Sequence, residues 1–127
     1  MHERFLEGRT ALVTGSVQGI GLAIGKSLAS AGARLAVHGL ATRDQADFAV
    51  RTIREAGAPD ARFFDADMRK PAAINVMMDE IKAWGGSDIL VNNAGIQQTA
   101  SLADVTQQIW DDILAVNLSG AFLRPLR

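Results

Sequence analysis

The run Thr14-Gly15-Ser16-Val17-Gln18-Gly19-Ile20-Gly21 directly follows the short apolar run Ala11-Leu12-Val13 and opens a segment of helical periodicity. That order restricts the chain to folds in which a strand hands over to a helix through a tight loop. Glycine tolerates a sharp turn and lets the backbone approach a ligand without a Cβ in the way. A helix N-terminus offers unpaired N–H groups and the positive end of the helix dipole, which together suit the phosphates of a dinucleotide. The glycines are spaced G-x-x-x-G-x-G rather than G-x-G-x-x-G. Alone, the loop is also compatible with an ordinary strand-to-helix turn, so the rest of the chain decides.

Beyond the loop, Ile20, Ala23, Ile24, Ser27, Leu28 and Ala31 recur at helical spacing, and Gly32 stands where a helix end favours a left-handed residue. Residues 34–38 read as a second strand. Thr42 and Gln45 have the spacing of a capping box and open a helix with Ala46, Ala49, Val50, Ile53 and Ala56 on one face, closed by Gly57. Residues 61–65 read as a third strand. Pro71 suits the first turn of a helix burying Ile74, Met77, Met78 and Ile81, ended by Gly85-Gly86. Residues 88–91 form a fourth strand, and Thr106 caps a last helix carrying Trp110, Ile113, Leu114, Asn117, Ala121 and Phe122. Strands that are continuous apolar runs, alternating with helices, predict an α/β fold: a Rossmann-like doubly wound parallel sheet, covered on both faces, in one domain over residues 1–127.

Composition narrows the function. Thirteen Lys and Arg against fourteen Asp and Glu leave a net charge of −1 with no basic tract, which argues against nucleic acid as a partner. The absence of cysteine excludes disulfides and thiolate metal sites, and no metal is expected. The first eight residues lack the apolar core of a signal peptide, and no apolar run approaches the ~20 residues of a membrane span. The expectation is a soluble cytoplasmic protein whose partner is a small molecule.

In a doubly wound sheet, ligands bind outside the carboxyl ends of the strands. The second strand ends in His38-Gly39-Leu40-Ala41, with glycine where an acidic residue would usually hold the adenosine ribose. The third is followed by Asp67-Met68, and the fourth by Asn92-Asn93-Ala94-Gly95-Ile96-Gln97.

These motifs, together with Ala115-Val116-Asn117, resemble the short-chain dehydrogenase/reductase family over residues 8–123. The resemblance implies that Gly15, Gly19 and Gly21, with Ser16 and Ile20, line the pyrophosphate and adenosine ribose, with Gln18 and Gly39 also on the cofactor side. It implies that Asp67 and Met68 meet the adenine, that Asn93, Ala94 and Gly95 run beside the cofactor, and that Asn92 ties neighbouring strands together. Asn117 matches the family's helix-borne asparagine, which positions a water in a proton relay. Without the family pattern it reads as a helix residue with a locally bonded side chain.

A closer resemblance is to the 3-hydroxybutyrate dehydrogenases, carried by residues 93–97, by Ala66-Asp67-Met68-Arg69-Lys70-Pro71 and by the neutral turn at 38–40. It implies that the Gln97 amide helps hold a substrate carboxylate, although Gln97 also reads as a solvated loop residue. No Lys or Arg stands inside the glycine loop and none follows Gly39 immediately, so a 2′-phosphate would lack its partner. NAD is therefore expected over NADP. Arg43, the nearest cation, falls in the first turn of the next helix.

The family transfers a hydride between nicotinamide and a carbonyl or alcohol, using serine, tyrosine and lysine that it places beyond the matching segment. This chain has no tyrosine, and His2 and His38 are poor substitutes. Pro125 breaks the pattern of the last helix, so the chain reads as a truncated N-terminal portion with residues 124–127 an aberrant tail. The expectation is an oxidoreductase by family, acting on a small hydroxy acid such as 3-hydroxybutyrate, with this chain inactive alone. The alternative is a non-catalytic dinucleotide-binding or self-associating module. An unpaired fourth strand would favour a homo-oligomer. A sugar-nucleotide epimerase of the extended branch is disfavoured by the glycine spacing and by residues 92–95.

Overall fold

A computed structural model of the chain describes residues 4–94. Gly95, Gln97, Asn117, the expected last helix and residues 124–127 lie outside the described residues. The elements are β1 (Thr10–Val13), α1 (Gly19–Ser30), β2 (Arg34–Gly39), α2 (Arg43–Glu55), β3 (Ala61–Asp65), α3 (Pro71–Ala83) and β4 (Ile89–Val91). The strands pair in parallel in the order β3-β2-β1-β4. Leu12 lies opposite Ala36 on one side and Leu90 on the other. The order runs outward from β1 to β3 and then jumps back across β1 to β4, so the sheet reverses direction between β1 and β4. That reversal opens a crevice at the carboxyl ends of the strands.

Alternate strand residues face opposite sides of the sheet, and the core divides accordingly. Ala11, Val13, Leu35 and Val37 pack with Ala29 of α1 and with Ala49 and Ile53 of α2. Leu12, Ala36 and Phe64 pack with Ile74, Met77 and Ile81 of α3. The expected Rossmann-like doubly wound architecture is present, with α1 and α2 on one face and α3 on the other.

Local chemistry explains the helix ends. Thr42 accepts from the Gln45 backbone N–H at 3.2 Å while the Gln45 side chain accepts from the Thr42 N–H at 2.9 Å, completing the predicted capping box. Gly32 and Gly57 follow α1 and α2 with φ of +100° and +127°, conformations in which a Cβ would be strained.

The inner face of α1 matches the expected stripe only in part: Ile24 and Leu28 pack against the core and Ala31 is buried, but the centre of the face lies elsewhere. Its buried residues are Gly21, Gly25 and Ala29, whereas Ala23 and Ser27 are exposed and Ile20 is 75% exposed. A Cβ on Gly25 would come within 3.0 Å of Ile53 Cδ1. The helix lies so close to its neighbours that only the smallest residues fit beneath it, and a reading based on apolar periodicity passes over glycine.

At the amino end of the sheet, Arg34 is held on several sides. Its guanidinium stacks 3.8 Å over the Trp84 ring, donates to the Trp84 carbonyl at 3.1 Å and lies 3.7 Å from the Asp60 carboxylate. Asp88 accepts from the Thr10 N–H at 2.9 Å, tying β4 to β1. Trp84 meets Phe64 edge to face, with ring centroids 5.5 Å apart.

Candidate dinucleotide site

At the carboxyl ends of the strands the loops after β1, β2, β3 and β4 enclose a cleft of about 400 Å³. Gly15, Val17 and Gln18 form one wall, His38, Gly39 and Leu40 the second, residues 66–69 the third, and Asn93 and Ala94 the fourth. This lies within the usual volume of small-molecule sites.

The glycine loop is stitched to its neighbours by side chains bonding to backbone. Thr14 Oγ1 accepts from the N–H groups of Asn93 at 3.0 Å and Ala94 at 2.9 Å, linking the ends of β1 and β4. Asn93 Nδ2 donates to the Gly15 carbonyl at 3.1 Å. A bridge from the end of β4 to the loop is thus made by Asn93; Asn92, the position expected to tie strands, is exposed and has an interaction of its own. Gly15 has a φ of +65°, and a Cβ there would meet Ala94 Cα at 3.0 Å. Only glycine fits that turn and that contact together.

The expected cofactor residues separate into three groups. Gly15, Gln18, Gly39, Asp67, Met68, Asn93 and Ala94 line the cleft. Gly19 and Ile20 stand at its lip: Gly19 has a φ of +60° with open space where a Cβ would be, and Ile20 projects outward. Ser16 and Gly21 face inward instead. Ser16 is fully buried, and its hydroxyl accepts from the His38 N–H at 3.0 Å. Gly21 lies against the loop, where a Cβ would collide with the Gly15 carbonyl and come within 2.6 Å of Asn93 Nδ2. Both residues therefore pack against the loop itself.

The two helix N-termini on this face contrast. That of α2 is closed by its capping box and has Asp44 in its first turn. The Gln18 side chain makes no cap on α1, whose first turn carries no acidic residue. The positive end of α1, beside the exposed Gln18-Gly19-Ile20 backbone, is open to an anionic group. Residues present here fit a dinucleotide: a glycine cradle that a Cβ would fill and an uncapped helix start aimed at it.

Asp67 is the most strongly perturbed acid of the site. Arg69 grips it from three donors: Nε to Oδ1 at 2.9 Å, Nη2 to Oδ2 at 2.7 Å and the backbone N–H to Oδ1 at 3.0 Å. These bonds, aided by the charge of nearby Lys70 and opposed by partial burial, hold the Asp67 carboxyl at about 2. A carboxylate has roughly four acceptor positions, so one stays available to an incoming N–H. Val17, His38, Leu40 and Arg69 line the cleft without having been assigned a cofactor role from sequence. His38 had a signal there as a polar residue closing the apolar run Leu35-Ala36-Val37, while Leu40 and Arg69 entered only as members of the motifs at 38–40 and 66–71. Among the described residues no cluster of acids and histidines could hold a metal, and no helix is long and apolar enough to cross a membrane.

Comparison with known proteins supports this geometry. The chain is 48% identical over 119 residues to the D-beta-hydroxybutyrate dehydrogenase of Cupriavidus necator, covering 92% of this chain and 45% of that protein. A short-chain dehydrogenase from Burkholderia cenocepacia in complex with NADP superposes with a TM-score of 0.88 at 38% identity, covering 96% of this chain and 50% of that one. An NADH-dependent reductase complexed with NAD superposes at 0.86 and 28% identity, over 97% and 51% of the two chains. The chain thus spans about half the length of these relatives. Since the sequence profile of the short-chain dehydrogenases matches residues 9–124 as well, the chain belongs to that family.

Proposed function

We propose that this chain forms a single dinucleotide-binding domain, serving an oxidoreductase that transfers a hydride between NAD and a small hydroxy acid of the 3-hydroxybutyrate type. The observation that carries the reading is the cleft at the sheet reversal, with the glycine loop on one wall and Asp67-Met68 on another. Gly15, Gln18, Gly19, Ile20 and the open start of α1 would hold the pyrophosphate. Met68 and the remaining acceptor position of Asp67 would meet the adenine, whose exocyclic amine is a donor. Asn93, Ala94 and Gly95 would flank the nicotinamide half, which supplies hydride chemistry when bound. Gln97 would hold the substrate carboxylate and Asn117 a relay water.

NAD is favoured over NADP because, among the described residues, Arg69 is the single cation lining the cleft, and its guanidinium is already forked to Asp67. A 2′-phosphate would have to break that pair or go without a charged partner. The substrate class follows from the likeness to D-beta-hydroxybutyrate dehydrogenase. No nucleic acid or membrane partner is proposed, the location is cytoplasmic, and the working state is a homo-oligomer.

Calorimetric titration of the chain with NAD and NADP tests the cofactor, with NAD expected to bind at least tenfold more tightly. Equal affinity, or a preference for NADP, overturns the assignment. With no tyrosine in the chain, NAD plus 3-hydroxybutyrate should give no NADH above blank; clear turnover would refute its inactivity alone. The second reading, a non-catalytic dinucleotide-binding or self-associating module, rests on β4 ending the sheet among the described residues. A concentration-dependent sizing profile with binding but no turnover is its signature.

A further inference from the structure

His38 is 2% exposed at the end of β2, and the proposed hydride chemistry makes no use of it. Both of its ring nitrogens are nevertheless committed. The Gly15 N–H donates to Nδ1 at 3.0 Å, and Nε2 lies 2.9 Å from the Ala66 carbonyl oxygen. A backbone N–H can only donate and a carbonyl can only accept, so Nδ1 must offer a lone pair and Nε2 must carry the proton. The neutral Nε2–H tautomer is the state that satisfies both partners. The main chain of the same residue is engaged as well: its N–H donates to Ser16 Oγ at 3.0 Å and its carbonyl accepts from the Ser16 N–H at 2.8 Å.

Through these bonds one residue joins the glycine loop after β1 to the segment after β3, across the end of β2. Those are two walls of the cleft. Gly15 is thereby gripped from both sides, by His38 at its N–H and by Asn93 at its carbonyl. We propose that His38 is a positioning residue for dinucleotide binding, its neutral imidazole setting the separation between the glycine loop and the adenine-side wall. The inference rests on the dinucleotide reading of the cleft.

An imidazolium would set an N–H against the Gly15 N–H and break the clamp, so binding should weaken on acidification. Among the described residues, no titratable group lies in the loops at 14–18, 39–42 or 92–94. The charged groups on the segments flanking these loops are Asp65 at the end of β3, Asp67, Arg69 and Lys70 after it, and Arg43 and Asp44 opening α2. Asp67, held at about 2, stays ionised throughout the range in which an imidazole titrates.

Two variants split the clamp. In His38→Asn the Oδ1 atom takes the place of Nδ1 and keeps the Gly15 bond, while the Ala66 bond is lost. In His38→Gln the side-chain amide reaches Ala66 but leaves the Gly15 N–H facing a methylene. Titration of the full chain with NAD at neutral pH should show about thirtyfold weaker binding for His38→Asn and about threefold for His38→Gln, because the Ala66 carbonyl is left unpaired in a buried bond, whereas the Gly15 N–H lies in a part-buried one and can be rehydrated. Affinity of the natural chain should fall on acidification, and that of His38→Asn should stay flat.

Equal losses in both variants, or the same pH slope in both proteins, overturn the proposal. Nitrogen NMR of the His38 ring, with hydrogen exchange at the Gly15 amide, needs no variant. A bare Nδ1 and a protected amide are expected, and a protonated Nδ1 refutes the clamp. If the natural chain binds no dinucleotide, the function proposed above fails, while the ring tautomer still decides whether the clamp exists.

Discussion

The two ends of the sheet are both rich in polar side chains, yet they use them differently. At the amino end the side chains fill space. Arg34 stacks on Trp84, meets Asp60 and caps the Trp84 carbonyl, so its guanidinium is engaged on several sides. At the carboxyl end Thr14, Ser16, His38 and Asn93 direct their side chains onto loop backbone, and the loops are held apart around a cleft. The density of hydrogen bonds does not mark a site. A site lies where side chains hold backbone open and leave its N–H groups and acceptors facing outward.

The largest effect separating the ends is expected at Gly21. Gly21→Ala drives a Cβ into the Gly15 carbonyl and toward Asn93. We expect a loss of about 3 kcal/mol in stability, with dinucleotide binding abolished, measured by denaturant unfolding and titration. A variant that binds normally would show that the loop can move aside, and the contrast between a pinned loop and a filled corner would fail.

At the opposite end, Arg34→Ala removes the stack and the bonds around it. A cost of about 1–2 kcal/mol in unfolding free energy is expected, with NAD affinity changed by less than about twofold. A marked fall in affinity would mean that the two ends are mechanically coupled.

The smallest effect is expected at Arg69, which changes acid stability. The folded-state value of Asp67 is about 2, below its ordinary 3.8, so the Arg69 pairing stabilises the fold above about pH 4 and is lost as pH falls from there toward 2. Because Arg69 is partly exposed and screened by solvent, Arg69→Ala should cost about 1 kcal/mol at pH 6, a fraction of that near pH 2 and nothing well below it. Thermal unfolding as a function of pH checks the convergence; a constant difference between the proteins would assign the effect to packing rather than to the ion pair.

What could be read from residue order was local. The strand-loop-helix at 10–30, the capping box at Thr42 and Gln45 and the left-handed Gly32 and Gly57 depend on neighbours within a few positions, and the structure has them in place. The details that escaped depend on distant partners. That Ser16 turns inward follows from the His38 N–H, 22 positions away, and that Asn93 bridges to the loop follows from Gly15, 78 positions away. The pairing of Arg69 gave no sign because its partner, two residues back, was read as facing a ligand. The inner face of α1 escaped for another reason: glycine adds nothing to an apolar stripe, although closeness of packing is what put it there.

The small-residue face of α1 also bears on how the chain folds. Glycine within a helix costs about 1 kcal/mol relative to alanine, and α1 contains Gly21 and Gly25 in addition to its first residue, Gly19. It has no side-chain cap to offset that cost, whereas α2 has a complete one. A short isolated helix is marginal even with good residues. Residual helicity in isolation is therefore expected to be greater for α2 than for α1, which draws more of its helix stability from docking against β1, β2 and Ile53. The loop that makes the site then owes more of its order to tertiary assembly, and peptides spanning residues 42–57 and 18–32 should differ in helicity in that sense.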